Sequence, residues 1–296
     1  MADERKHWRV LPFQTDDGPT NMAVDEAILR ARAEEKVPNT IRFYRWKPST
    51  ASIGRNQSLN TEIDVEAAKK HGVDIVRRIS GGGAVFHDAE NEITYSVTAS
   101  ENDIRDIFHN MDDKFFSADP PDDPMNDEIV KQQSEPPGKT RFFTVGSSYH
   151  VITMGLVNGL QRMGVCVDQG VIHCPALFVN GRKISGNAQA RRHEIILQHG
   201  TILLSVDPEF MYTILKAPEG VTRGHMVRSV KAKVTGVFDT VEPVTDYEFQ
   251  IKMIRGFEEA LGIKCDMGEL TTYEQELVHD IKEKRYSDDI WLTRLP

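Results

Sequence analysis

Three consecutive glycines, flanked on both sides by residues typical of β-strands, constrain this sequence more than any other feature. Residues 77–88 are Arg-Arg-Ile-Ser-Gly-Gly-Gly-Ala-Val-Phe-His-Asp. Glycine has no Cβ atom, so the backbone there can take positive φ and a ligand can lie directly on it. The two arginines before the glycines supply fixed cations suited to a phosphate or a carboxylate. The stretch therefore predicts a strand that breaks at a ligand-binding turn and then resumes.

The residues around this turn predict strands on both sides of it. Residues 73–78 are largely apolar, and in residues 92–99 Ile93, Tyr95 and Val97 alternate with polar residues, which is typical of a strand with one buried face. No helix directly follows the glycines. This order argues against a Walker phosphate loop and against a dinucleotide-binding fingerprint, because both place a helix after the loop.

The remaining elements predict a mixed α+β domain with an antiparallel-rich sheet flanked by helices. Asn180-Gly181 is a hairpin turn signal between two β-like runs, and Asp207-Pro208 is typical of a helix start. We expect helices over residues 20–34 (with Thr20 as N-cap), 63–71, 147–163 and 208–215, and two more in the C-terminal region. We expect strands over residues 41–46, 73–78, 92–99, 176–179, 182–185 and 201–204.

Composition excludes several classes of protein. The chain has 296 residues and a net charge of -9, which leaves no basic excess for non-specific binding of nucleic acid. Its N-terminus is charged, unlike a signal peptide, and no stretch approaches the roughly 18 apolar residues of a membrane helix. Cys166, Cys174 and Cys265 are too few and too scattered for a disulfide framework or a structural zinc site. We therefore expect a cytoplasmic protein with no metal site and no membrane partner.

A second motif contains a lysine that follows the predicted hairpin turn. Residues 181–189 are Gly-Arg-Lys-Ile-Ser-Gly-Asn-Ala-Gln, and residues 198–201 are Gln-His-Gly-Thr. Lys183 can be an ordinary solvated hairpin residue. Alternatively, its ammonium group is held at a fixed point over a ligand, with Gly186 keeping the backbone open. His199 either orients a strand or faces the site.

Taken together, these motifs resemble the catalytic domain of the lipoate-protein ligase family, which is related to biotin protein ligases and octanoyltransferases. Residues 53–57 (Ile-Gly-Arg-Asn-Gln), residues 60–62 (Asn-Thr-Glu) and residues 284–287 (Lys-Arg-Tyr-Ser) with Trp291 add to the similarity. The resemblance covers nearly the whole chain except about 105–145. It implies a catalytic domain over 1–228, a helical extension of the same domain over 229–296, and no separate accessory domain. Residues 112–140 are acidic and rich in proline, which predicts a flexible insertion.

The resemblance implies an ATP-dependent reaction as our first interpretation. Family members activate lipoic or octanoic acid to an acyl-adenylate, with Mg²⁺ on the pyrophosphate, and transfer the acyl group to a lysine of a lipoyl domain. Such acceptors are the E2 subunits of 2-oxoacid dehydrogenases and the glycine cleavage H protein. This interpretation includes a separate accessory subunit as a partner, because the large bacterial ligases carry an accessory domain that this chain lacks.

The site residues follow from the same resemblance. Lys183 falls on the family's essential lysine, which contacts both the carboxylate and the α-phosphate. The predicted nucleotide and adenylate site consists of Arg78, Gly83, Ala84, Val85, Phe86 and Lys183. The predicted substrate-binding residues are Arg77, Gly81, Gly82 and His87. His87 and Asp88 are also expected to brace the loop.

The alternative interpretation is an octanoyltransferase, which takes the acyl group from acyl carrier protein without a nucleotide. Family transferases form a thioester on a cysteine in the loop before the lysine strand. Cys174 lies nine residues before Lys183, but the surrounding transferase motif is absent. Cys174 is thus either this nucleophile or a structural residue, whereas Cys166 is expected in a buried strand. Residues 53–57 and 60–62 look more ligase-like, so the ligase interpretation comes first. A third interpretation, a catalytically silent binding protein, is disfavoured by the intact Lys183.

Overall fold

The fold is described by a computed structural model that covers residues 5–111, 142–170 and 176–295. The predicted insertion at 112–140 and the candidate nucleophile Cys174 therefore lie outside the described residues. The strands are β1 (His7–Val10), β2 (Gln14–Asp16), β3 (Thr40–Trp46), β4 (Thr50–Ile53), β5 (Asp74–Arg77), β6 (Val85–His87), β7 (Glu92–Ser100), β8 (Asp168–Gln169), β9 (Leu177–Val179), β10 (Arg182–Ser185), β11 (Asn187–Arg192), β12 (Ile195–Leu203) and β13 (Lys264–Met267). The helices are α1 (Gly18–Ala33), α2 (Leu59–Glu62), α3 (Val65–Lys70), α4 (Glu101–Asn110), α5 (Val145–Gln161), α6 (Pro208–Ile214), α7 (Arg223–Lys233), α8 (Asp246–Leu261), α9 (Thr272–Ile281) and α10 (Asp289–Thr293).

The main sheet has the order β11-β12-β7-β3-β1-β13, and β2 pairs with the far end of β3. Its first four strands are antiparallel to one another, whereas β1 is parallel to both β3 and β13. The predicted α+β class with an antiparallel-rich sheet is therefore confirmed. Two three-stranded sheets, β5-β4-β6 and β10-β9-β8, lie beside it and carry the two sequence motifs.

Side-chain alternation along β3 separates two cores. Ile41 and Phe43 point to one face, where α5 and α8 cover them with residues such as Phe257. Tyr44 and Trp46 point to the other face, where they pack against α1 and α9. Because successive strand residues face opposite sides, one strand contributes to both layers.

Local signals placed several elements correctly. Asn180 and Gly181 join β9 to β10 with φ of 50° and 71°, so the predicted hairpin turn is confirmed. Asp207 caps α6 and Pro208 opens it, as expected. Helix α1 begins at Gly18 rather than near Thr20, because the Asp17 carboxylate accepts from the backbone N–H of Thr20 and acts as the N-cap.

Two other expectations are corrected. The domain boundary proposed at residue 228 falls inside α7, and the region after it is not only helical, because β13 pairs with β1 as an edge of the main sheet. Cys166 is exposed and lies outside the strands, although its neighbours Val165 and Val167 are buried. The apolar run buries only alternate residues, so the middle side chain faces water.

Within the residues that the structure describes, none of the helices has both the length and the apolar character needed to cross a membrane.

Candidate active site

An open cavity of about 390 Å³ lies on the α1 face of the main sheet, between the glycine loop and the lysine strand β10. Its floor is formed by the buried side chains of Met22, Tyr44 and Trp46. Its rim includes Gly83 of the glycine loop and Asp207, both exposed. The cavity thus has an apolar floor and a polar mouth.

The glycine loop is held in shape by Arg78, the residue that begins it. Its guanidinium donates to the carbonyl oxygens of Gly81 (2.9 Å) and Gly83 (2.6 Å), and to both oxygens of Ser52 (3.1 and 3.0 Å). Burial lowers the pKa of Arg78 to about 10, so it stays cationic at neutral pH. Arg78 lines the cavity, but its bonds to the loop make it a support for the loop's main chain.

Lys183 projects into the cavity from β10. It pairs in register with Phe178 of β9, and its carbonyl oxygen accepts from the N–H of Thr235 at 3.0 Å. A Cβ atom at Gly186 would lie only 3.1 Å from Nζ of Lys183, so the glycine leaves room for the ammonium group. No carboxylate among the described residues forms an ion pair with this ammonium. Lys183 is therefore available to an anionic ligand group or a developing oxyanion.

A chain of buried polar groups runs from His87 to the loop. Nδ1 of His87 lies 2.9 and 3.0 Å from the two carboxylate oxygens of Glu92, and Nε2 lies 2.8 Å from Oγ of Ser52. The imidazole stacks on Trp46 with 4.1 Å between ring centroids. Ser52 in turn accepts from Arg78. Both nitrogens of His87 are thus engaged in bracing the loop, although the ring also lines the cavity.

A second chain of the same kind begins on α1. Nε2 of His199 lies 2.6 Å from Oγ of Ser80 in the glycine loop, and its Nδ1 lies 3.1 Å from Asp25. Asp25 also accepts from Arg42 and Ser96, both at 2.8 Å. Burial would raise the pKa of Asp25, but the charges of Arg42 and His199 and these hydrogen bonds outweigh it and lower the pKa below its usual value. Asp25 is therefore a buried, ionised carboxylate that orients the imidazole of His199.

Sequence reasoning missed Asp25 and Glu92. Asp25 sits within α1 and Glu92 opens β7, and neither position belongs to a motif that marks a site. A weak signal was present, because an acidic residue on an otherwise apolar helix face or inside a buried strand requires a partner.

The structure brings most of the predicted site residues to this one cavity. Those that line it are Arg78, Gly82, Gly83, Ala84, Val85, Phe86, His87 and Lys183. Gly81 lies in the loop but does not line the cavity.

Arg77 requires a correction. Its guanidinium donates to carbonyl oxygens of Gln57 (2.5 Å), Leu292 (2.8 Å) and Leu295 (3.1 Å), and it does not line the cavity. Neighbouring residues at a strand end point in opposite directions, so Arg77 faces the C-terminal segment while Arg78 faces the loop. We therefore assign Arg77 to the anchoring of that segment and not to substrate binding.

In the described part of the chain, no group of three or more His, Cys, Asp or Glu side chains is placed to hold a metal ion.

Beside the mixed sheet, the glycine loop and the lysine strand lie on either side of one cavity, as the sequence resemblance predicted. The model of the family described as "Lipoyl protein ligase A/B catalytic domain" matches residues 17–118 and 136–258, and the chain belongs to this family of enzymes. Residues 119–135, between the two matched segments, fall within the segment predicted as an insertion. The family identified from the sequence motifs is thus confirmed.

Within the family, the chain is similar to octanoyltransferases. It is 32% identical to octanoyltransferase LipM of Geobacillus kaustophilus, over 96% of this chain and 97% of the relative. It is 31% identical to octanoyltransferase LipM of Bacillus subtilis, over 97% and 98%. Among solved structures, a bipartite lipoate protein ligase from Thermoplasma acidophilum matches with a TM-score of 0.76 and 25% identity, over 98% of both chains.

These similarities overturn our first interpretation, an ATP-dependent ligase. Relatives above 30% identity over nearly their full length are named octanoyltransferases, whereas the ligase matches at 25%. Residues 53–57, which favoured the ligase interpretation, form a turn next to the glycine loop. In this turn the side-chain oxygen of Gln57 accepts a hydrogen bond from the N–H of Gly54 at 2.8 Å, which is a structural role.

Proposed function

We propose that this protein is an octanoyltransferase that moves an octanoyl group from acyl carrier protein to a lysine of a lipoyl domain, through a thioester on Cys174. The observation that carries the proposal is the identity of 31–32%, over nearly the full length of both chains, with proteins named octanoyltransferase LipM. The acceptors are E2 subunits of 2-oxoacid dehydrogenases and the glycine cleavage H protein.

The cavity supports an acyl substrate. The floor of the cavity is formed by the buried side chains of Met22, Tyr44 and Trp46, and its walls include the apolar side chains of Ala188 and Leu203. Burial of each methylene of an acyl chain contributes about 0.8 kcal/mol. The alkyl tail would thus enter the floor, and the carbonyl group would stay at the level of Lys183 and the glycine loop.

The described residues on either side of the segment 171–175 lead to the strand that holds Lys183. The N–H of Gly170 donates to the carbonyl oxygen of Ala176 at 2.8 Å, so the chain segments that flank residues 171–175 are tied together. The strand that begins at Leu177 pairs with β10, which holds Lys183.

The octanoyl group is transferred twice, first to Cys174 and then to the acceptor lysine. The Cys174 thiolate attacks the carbonyl carbon of the octanoyl thioester, the bond to the carrier's sulfur breaks, and that sulfur leaves as a thiol after taking up a proton. The neutral amine of the acceptor lysine then attacks the enzyme thioester, an amide forms, and the cysteine is released. The Lys183 ammonium would favour the thiolate and stabilise the oxyanion in both steps.

This reaction consumes neither ATP nor Mg²⁺. Binding of ATP and Mg²⁺ and an accessory subunit were expected under the ligase interpretation, and no step of the proposed transfer needs them. The cytoplasmic location stays a prediction, and it suits an enzyme that needs a free thiol.

The test is transfer from octanoyl-carrier protein to a purified lipoyl domain, followed by mass spectrometry of both proteins. We expect octanoylated lipoyl domain without ATP, and an octanoyl adduct on the enzyme when the acceptor is omitted. Cys174→Ala should abolish both products. Cys166→Ala is the matched control, because Cys166 is an exposed free cysteine outside the cavity lining and its loss should leave transfer unchanged.

A parallel reaction with free octanoate and Mg-ATP should modify no lipoyl domain. The proposal is wrong if the carrier-protein reaction fails under all conditions, or if Cys174→Ala transfers at the wild-type rate. Lys183→Ala should lower kcat by about 100-fold or more, since one preorganised oxyanion donor contributes about this much.

A further inference from the structure

Helix α7 concentrates positive charge in a protein that is acidic overall. The chain has 45 acidic and 36 basic residues, yet the eleven residues of α7 include Arg223, Arg228, Lys231, Lys233 and His225 and no acidic residue. We call α7 the basic helix. A local excess of one charge on an oppositely charged protein marks a surface for a partner of opposite sign.

The basic helix lies directly at the cavity. Val227 is the buried residue of this helix, and Val230 and Val234 line the cavity. Val234, the residue that ends the helix, forms a parallel β-bridge with Lys183. A partner bound to the outer face of this helix would therefore sit beside the catalytic lysine.

The same strand also fixes the end of the helix. The guanidinium of Arg182 donates to the carbonyl oxygens of Lys231 (2.9 Å) and Val234 (2.6 Å). Arg182, next to Lys183, thus anchors the C-terminal end of the basic helix.

Only part of this charge is used within the protein. Glu209 on α6 accepts from Lys231 at 3.1 Å and lies 3.9 Å from Arg223, whose guanidinium also donates to carbonyl oxygens of α6. Arg228 and Lys233 are exposed, and neither has an ion pair with a described residue. Basic residues in a last turn favour the helix dipole, which accounts for Lys233, but Arg228 sits in the middle of the helix.

We propose that the basic helix docks the acyl donor, an acidic carrier domain whose phosphodiester-linked arm delivers the octanoyl thioester to the cavity. This inference rests on the proposed octanoyltransferase function. The donor fits better than the acceptor, because its arm carries an anionic phosphate past the rim, whereas the acceptor presents a lysine that is mostly protonated and is repelled by Arg228 and Lys233.

The test compares two donors on the complete enzyme. One is octanoyl-carrier protein, and the other is octanoyl-N-acetylcysteamine, a small neutral thioester without protein or phosphate. The double variant Arg228→Gln, Lys233→Gln should raise KM for the carrier protein about fivefold or more at low salt and flatten the rise of KM with salt. Its kcat/KM for the small donor should equal that of the wild type, which also verifies correct folding.

A matched control removes two cations from the opposite helical layer. Arg162, directly after α5, and Arg255 on α8 have side chains that are 47% and 65% exposed, and each forms a surface ion pair with a glutamate. Arg162→Gln with Arg255→Gln should leave KM for both donors unchanged, although the net charge falls by the same amount.

The outcomes separate the inference from the function on which it rests. If the wild type transfers from neither donor, the octanoyltransferase proposal fails. If it transfers from both, and the double variant keeps a wild-type KM and salt dependence for the carrier protein, the docking inference is overturned. It is also overturned, in favour of the acceptor, if only the KM for the lipoyl domain rises.

Discussion

A Cβ atom at Gly54 would lie 2.1 Å from the main-chain carbonyl oxygen of Gly82, so the end of β4 and the glycine loop touch through backbone atoms. Because this contact involves main chain, no side-chain rotation can relieve it, and the loop must shift to admit even a methyl group. Gly54 thus determines how close the loop lies to the strand that carries Ser52. The position of the loop at the cavity depends on this glycine.

Gly54→Ala should therefore displace the glycine loop. We expect a loss of stability of about 1–3 kcal/mol, the range for overpacking, and a larger relative loss of kcat/KM for transfer. Gly81→Ala is the control, because a Cβ atom there meets no atom within 4 Å. Thermal unfolding and transfer assays on both variants check this, and equal behaviour of the two would refute the close contact.

Arg77→Lys should loosen the C-terminal segment. The guanidinium reaches carbonyl oxygens of Gln57, Leu292 and Leu295 at once, and a lysine has one nitrogen with which to replace these bonds. We expect a lower Tm and faster proteolysis after α9, with kcat retained in the folded fraction. Limited proteolysis with mass spectrometry measures this. A direct substrate-binding role would instead raise KM without changing the protease pattern.

Asp25 should make stability depend on pH on the acid side. Although burial would raise its pKa, Arg42 first and then His199 lower it below the unfolded value near 3.9. Because the folded pKa is depressed, this contribution is complete above the unfolded value and is lost as pH falls through the folded pKa. Urea unfolding between about pH 5 and 2 should show it in the wild type.

Asp25→Asn should remove that part of the pH dependence. At neutral pH it should also cost about 3–5 kcal/mol, because the buried Arg42 loses its counter-charge. Asp106→Asn, at an exposed carboxylate paired with Lys6, should change stability by less than about 1 kcal/mol. If Asp25→Asn keeps the wild-type acid profile, the carboxylate titrates normally in the folded protein.

The two described cysteines should differ sharply in reactivity. Burial, with the nearby charges of Glu258 and Asp266, raises the pKa of the Cys265 thiol to about 12, whereas Cys166 is exposed. Only thiolates react with iodoacetamide, so at pH 8 Cys166 should be alkylated and Cys265 largely spared. Peptide mass spectrometry over time measures both rates, and comparable rates would contradict the raised pKa of Cys265.

Much of the fold followed from local patterns. The alternation in β7, the Asn180-Gly181 turn and the Asp207-Pro208 helix start are set by residues close in sequence, and each was found where expected. The short β13 was missed, because its four residues, of which only Cys265 and Met267 are apolar, carry too little pattern to separate a strand from a loop.

The choice between ligase and transferase did not follow from the motifs. The glycine loop and Lys183 suit either an acyl-adenylate or a thioester donor, and residues 53–57 close a turn beneath the loop. The motifs did not distinguish between these donors, and the similarity of nearly the whole chain to octanoyltransferases favours a thioester donor.

The sequence by itself determined that a glycine loop lies between two strands and that a lysine follows a hairpin turn, because turn chemistry and strand alternation act over a few residues. Only the tertiary structure decided that Arg77 anchors the C-terminal segment while Arg78 holds the loop, and that Asp25 meets His199 across 174 positions. It also placed the basic helix beside Lys183. Such relationships arise from the packing of distant elements, which no local pattern specifies.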